Sequence, residues 1–178
     1  VCDTCGHVTP NGVKKLLAFI DEEVIKDGGY DRRDIEVNWH GHQDRGLGVA
    51  NNIAAVEVGA DVVHGTALGL GERAGNAPLD QTLVNLKLMG AIDNDLSVLG
   101  EYMQKAHEYT EVPLPRNYPV FGQEAFETGT GVHVTVNLPS SCFVAAHGVV
   151  VDSVELYTQP RPIQWNLTHT TVSYTHLT

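Results

Sequence analysis

Ile35-Glu36-Val37-Asn38-Trp39-His40-Gly41-His42-Gln43-Asp44-Arg45-Gly46-Leu47-Gly48-Val49-Ala50-Asn51-Asn52-Ile53-Ala54-Ala55-Val56 passes through three patterns in succession. Ile35 to His40 is a short run containing β-branched and aromatic residues, and it reads as a strand. Gly41 to Arg45 is polar and reads as a turn. Gly46 to Val58 is rich in alanine and reads as a helix closed by Gly59. The same order recurs on both sides. Upstream, Val1-Cys2-Asp3 reads as the end of a buried strand, and Pro10 to Asp27 as a helix. Thr9 is its N-cap, Pro10 its first residue, and Gly28-Gly29 its end. Val13, Leu16, Leu17, Ile20 and Val24 fall at helical spacing. Downstream, Ala60 to Thr66 reads as a strand, Pro78 to Met89 as a helix with Asp80 as a capping-type residue, and Asp95 to Tyr109 as a further helix. Three strand–loop–helix units with a period of about 30 residues predict an α/β fold with a parallel sheet and outer helices. Right-handed crossovers then bring the C-terminal end of every strand to one rim.

Composition narrows the function. The chain has 178 residues, with 22 acidic side chains against 11 basic ones and a formal net charge of −11. That balance repels polyanions, so no nucleic-acid partner is expected. No apolar run approaches the roughly 20 residues of a membrane span, and no secretory signal is visible. Three cysteines make no disulfide scaffold, so a reducing, cytoplasmic setting is expected. The chain opens on Val1 rather than Met, and it is expected to begin partway through a gene product. Residues 1–133 hold 30 of the 33 charges, and no lysine follows Lys105. The last 45 residues are rich in Thr, Ser and Val and have no sustained period, so an irregular tail is expected there.

The predicted rim collects the polar residues. Asp3-Thr4 ends the first strand, His40 and His42 end the second, and Gly71-Glu72-Arg73-Ala74-Gly75-Asn76 follows the third. His40 and His42 are two apart, so an extended backbone points both imidazoles to one face, about 7 Å apart along the strand. They read as convergent ligands of one divalent cation, as surface histidines, or as one ring packed on Trp39. Asp44 is placed to orient an imidazole or to meet a metal-bound water. Gly69-Leu70-Gly71 lacks the spacing of a nucleotide loop and reads instead as a tight turn presenting Glu72, Arg73 and Asn76. Cys2 and Cys5 read as buried or pocket-lining cysteines, and His64 as lining the barrel interior or a pocket.

The run from His40 to Asn51, with His64-Gly65-Thr66 and Gly69 to Asn76, resembles the 2-isopropylmalate synthase / homocitrate synthase family. These are metal-dependent TIM-barrel acyltransferases related to hydroxymethylglutaryl-CoA lyase. Asp3-Thr4-Cys5-Gly6 with Thr9-Pro10 resembles the family's sixth-strand motif, and Phe126 to His133 resembles the segment after its barrel. The resemblance implies a partial (β/α)8 barrel comprising about the last three β/α units. It divides the chain into barrel over 1–110, the start of an accessory segment over 111–133, and a divergent tail over 134–178. By this resemblance His40, His42 and Asn76 are metal ligands and Thr4 binds the carboxylate of a 2-oxo acid. Glu72 and His133 carry catalytic roles, Arg73 supports Glu72, and Asp44 stands behind the metal ligands. The bare reading of Glu72 and Arg73 as a structural ion pair stands beside this.

The implied reaction joins acetyl-CoA to a 2-oxo acid, 2-oxoisovalerate in the leucine pathway, using Mg²⁺, Mn²⁺ or Zn²⁺. The implied assembly is a homodimer. Homocitrate or citramalate synthase, a related lyase, and an inactive truncated remnant are the alternatives. The lyase pattern carries a cysteine-bearing loop where this chain has Glu72-Arg73-Ala74-Gly75, which favours a synthase. Gln43 stands where the family usually has Asn. The family's first-strand Arg-Asp pair, whose Asp is a further ligand, and its catalytic Glu have no counterpart here, so the chain alone is expected to be inactive and poorly folded. Val172 to Thr178 reads as translated adapter sequence, and 134–178 is expected to be out of frame or artefactual.

Overall fold

Thr9 is extended, and its hydroxyl accepts the Gly12 N–H at 3.2 Å, so the first helix begins where the cap and Pro10 dictate. The computed structural model describes residues 1–125 and the backbone of 142–145 and 148–151. In chain order the elements are β1 (Cys2–Asp3), α1 (Pro10–Phe19), β2 (Asn38–Gly41), α2 (Gly48–Glu57), β3 (Val62–Val63), α3 (Leu79–Leu88) and α4 (Leu99–Thr110). Strands β1, β2 and β3 form one parallel sheet in that order. Cys2 pairs with His40 and Asp3 with Gly41; Asn38 pairs with Val62 and Trp39 with Val63. The strands are shorter than the apolar runs that announced them, because Ile35–Val37 and the residues flanking Val62–Val63 lie outside the paired register.

The core lies between the sheet and its helices. Val13 and Leu17 of α1, Trp39 of β2, Ala54 and Ala55 of α2, and Val63 of β3 are buried together. Trp39 is fully enclosed, and Gly41 two residues on leaves room for it: a Cβ there would stand 3.2 Å from the indole nitrogen. Helix α1 does not run unchanged to Asp27. From Ile20 to Lys26 it widens into a π-helix. That adds a residue to the turn and moves the apolar stripe by one, so Ile25 is 3% exposed while Val24, expected in the core, is 47% exposed.

Three further expectations are corrected. Asp80 does not cap α3: the N-cap position is Pro78, with no side-chain bond, and Asp80 sits fully buried in the first turn. Cys2 and Cys5 are free and exposed rather than buried, because the strand end that carries them is at the rim. The tail is not irregular throughout, since β4 (Cys142–Ala145) pairs antiparallel with β5 (Gly148–Val151), two runs rich in residues that favour strands. His133, the segment 126–133 around it and the remainder of the tail lie outside the described residues. Among the described residues no helix is long and apolar enough to cross a membrane.

Candidate metal centre

The end of β2 delivers His40 and His42 to one face, as their spacing requires. Their rings meet edge to face with centroids 5.1 Å apart, and the two Nε2 atoms are 3.3 Å from each other. Two nitrogens at that separation are both within reach of one cation at ordinary metal–nitrogen bond lengths. His42 is only 8% exposed, and a short antiparallel bridge sets its backbone against that of Asn76. Asn76 donates its amide N–H to the Leu70 carbonyl at 3.0 Å, while its Oδ1 is buried without a hydrogen-bond partner. A buried acceptor fixed at one end and free at the other suits a hard cation. Two imidazoles and one amide oxygen are therefore the donors these residues could offer a cation. Among the described residues no cluster of three or more His, Cys, Asp or Glu side chains is placed to hold a metal. Burial, then the neighbouring His64 and His42, lowers the pKa of His40, which keeps it in the neutral form a ligand needs. Partial burial likewise lowers the pKa of His64, which keeps some access to solvent.

Around the pair stands a lattice of ion pairs and turns. Asp44 is gripped in bidentate fashion by Arg73 at 2.8 and 3.0 Å, and this contact above all holds its carboxyl below the usual range. The same guanidinium donates to the Thr4 carbonyl at 2.7 Å. One side chain from the β3 loop therefore ties the ends of β1 and β2. Arg73 itself is left-handed, at φ 56°, an uncommon state for a large residue. Gly75, at φ 100°, completes the turn: a Cβ would collide with the Gly69 carbonyl, and its own carbonyl accepts the Gln43 N–H at 2.8 Å.

The expected residues separate into two groups. His40 and His42 meet at their rings, and Asn76 is bridged through its backbone to His42. Asp44 and Arg73 pair with each other rather than with an imidazole. Thr4 is exposed on the rim, and Glu72 is exposed with Arg73 as its ion-pair partner at 3.4 Å. Gln43 turns its Oε1 to the Gly48 N–H, 2.6 Å away, and so satisfies the first N–H of α2. Residue patterns alone assigned no role to Asn51 and Asn52. Both are fully buried; one donates to the Val8 carbonyl and the other to that of His64, fastening the loops after β1 and β3. Two consecutive amides on a helix otherwise lined with alanine were the available signal, since buried amides need partners.

The model of the family described as HMGL-like matches residues 1–104. The chain belongs to the HMGL-like family. Among curated relatives this HMGL-like chain is 38% identical over 164 residues to the probable 2-isopropylmalate synthase of Methanopyrus kandleri, covering 91% of this chain and 28% of that protein. It is 38% identical over 138 residues to homocitrate synthase AksA of the same organism, covering 76% and 32%. The chain therefore spans about a third or less of the length of these relatives. Its α/β fold is similar to the crystal structure of HMG-CoA lyase from Bacillus subtilis, with a TM-score of 0.51, 27% identity, and 64% of this chain matched to 38% of that one.

Proposed function

We propose that this HMGL-like chain is the C-terminal part of the (β/α)8 catalytic barrel of a cytoplasmic, homodimeric enzyme that condenses acetyl-CoA with a 2-oxo acid. The acceptor is 2-oxoisovalerate, which places the product in leucine biosynthesis. The observation that carries this reading is the approach of the His40 and His42 Nε2 atoms, with Asn76, whose Oδ1 is unpaired, bridged through its backbone to His42. These three residues would hold a divalent cation, Mg²⁺, Mn²⁺ or Zn²⁺. Bound there, the cation supplies Lewis acidity that polarises the ketone of the 2-oxo acid. Thr4, at the adjacent strand end, binds the acid's carboxylate. Arg73 fixes the rim by holding Asp44 and the Thr4 carbonyl. Glu72 and His133 act in proton transfer around the condensation. Carbon–carbon bond formation and thioester hydrolysis then release free CoA thiol.

The 2-isopropylmalate reading is favoured over homocitrate synthesis because the similarity to the Methanopyrus kandleri synthase continues over 91% of the chain, against 76% for the homocitrate relative. A chimaera carrying residues 1–125 in place of the matching segment of that synthase tests the proposal. It should release thiol from acetyl-CoA with 2-oxoisovalerate, lose the activity to a chelator, and lose it again with His40→Ala or His42→Ala. Release only with 2-oxoglutarate would make the protein a homocitrate synthase. A soluble chimaera inactive with 2-oxoisovalerate, 2-oxoglutarate and pyruvate alike would overturn the condensing reading.

A further inference from the structure

His64 is an imidazole at the rim to which the proposed chemistry gives no task. It follows β3 directly, and its side chain is exposed. Its Nδ1 lies 3.4 Å from the Nδ1 of His40, with ring centroids 5.4 Å apart and the planes inclined by 62°. At the opposite side of the same His40 ring, Nε2 faces His42 Nε2 at 3.3 Å. Three imidazoles therefore stand in a row, with His40 in the middle and both of its nitrogens engaged.

A neutral imidazole carries a single N–H. If His40 is to offer an Nε2 lone pair to a cation, its proton must reside on Nδ1, and that proton needs an acceptor. Ligating histidines commonly have such a partner on the far nitrogen, and it fixes the ring and its tautomer. Elsewhere a carboxylate or a carbonyl often takes this part. Here Asp44 is occupied by Arg73, and the group facing His40 Nδ1 is His64.

We infer that His64 is a positioning residue for the metal centre: its Nδ1 accepts the His40 Nδ1–H and so holds His40 in the tautomer whose Nε2 is free to ligate. The inference rests on the metal-centre reading above. In this arrangement His64 carries its own proton on Nε2, and each of the three rings is a neutral imidazole with a single N–H.

Zn²⁺ titration of the full 178-residue chain, with nitrogen NMR of the imidazoles, tests this. The His64→Leu chain should bind Zn²⁺ about 10–100-fold more weakly than the parent, the usual effect of removing a ligand's outer partner. His64→Gln, which keeps an acceptor, should recover most of the loss. In the zinc-loaded parent, His40 should show its proton on Nδ1. An unaltered metal-free amide spectrum would certify the fold of each variant. Parent and His64→Leu binding Zn²⁺ equally would overturn the role of His64 and leave the metal centre standing. A parent chain that binds no Zn²⁺ would overturn the reading that His40, His42 and Asn76 suffice to hold a cation, and the inference with it.

Discussion

Arg73 shows how one residue serves several elements. Its hydrogen bond is the main reason that the Asp44 carboxyl lies below the usual range, against a smaller opposing cost of burial. A carboxylate whose folded pKa is depressed contributes stability above its unfolded pKa and loses it as pH falls through the lower folded value. Arg73→Gln should therefore melt earlier than the parent at pH 7, with the difference closing below about pH 4. A difference that stays constant into acid would mean that the guanidinium acts through packing alone. Asp80 has the opposite sign. Burial raises its pKa to about 6, and its Oδ2 has no partner, while Oδ1 accepts from Tyr118 at 3.3 Å. The folded chain then holds one more proton than the unfolded chain between about pH 4 and 6, so stability falls as pH rises across that window. Asp80→Asn keeps the acceptor and removes the charge. Urea unfolding should show it spared most of that decline, on the order of 2–3 kcal/mol, and an unchanged decline would assign the pH dependence elsewhere.

Elements were legible where their cause is local. Thr9 and Pro10 start α1 at the residue their chemistry names, and the two-residue spacing of His40 and His42 sends both rings to one face. The π-helical widening was not legible, because nothing at Ile20–Lys26 breaks an ordinary helical pattern; the burial of Ile25 in place of Val24 depends on what the helix packs against. The partnership of His64 with His40 was hidden for a similar reason. It is set by the register that pairs Trp39 with Val63, which no property of either strand alone specifies. Asp44 shows the reverse difficulty: its position was foreseen, but its partner came from a loop 29 residues away. Helix α2 binds the scheme together through its buried amides. Asn52→Ala, which strands the His64 carbonyl, should cost about 1–3 kcal/mol in chemical unfolding. A cost near zero would mean that water replaces the amide.

At the scale of the whole molecule, the described sheet has three strands, with β1 and β3 each pairing on one side to β2. Beside the start of β1 lies an apolar cleft of about 230 Å³, lined by Val1, Ile20, Val24, Ile25, Tyr30 and Ile35. Tyr30 and Val24 are 63% and 47% exposed there. A sheet edge that no described residue pairs, next to an apolar cleft, favours association. Val24→Lys should raise the concentration at which the isolated chain self-associates in sedimentation, and no change would place the sticky surface elsewhere. The tie made by Arg73 reaches 29 residues back to Asp44 and 69 to Thr4. Contacts between such distant parts of a chain carry a high closure cost and form after the local units have docked. The clasp at the rim is accordingly a brake on opening rather than a guide to assembly. Its loss shortens the lifetime of the native state, through a faster unfolding rate, and leaves the rate of refolding nearly as it was.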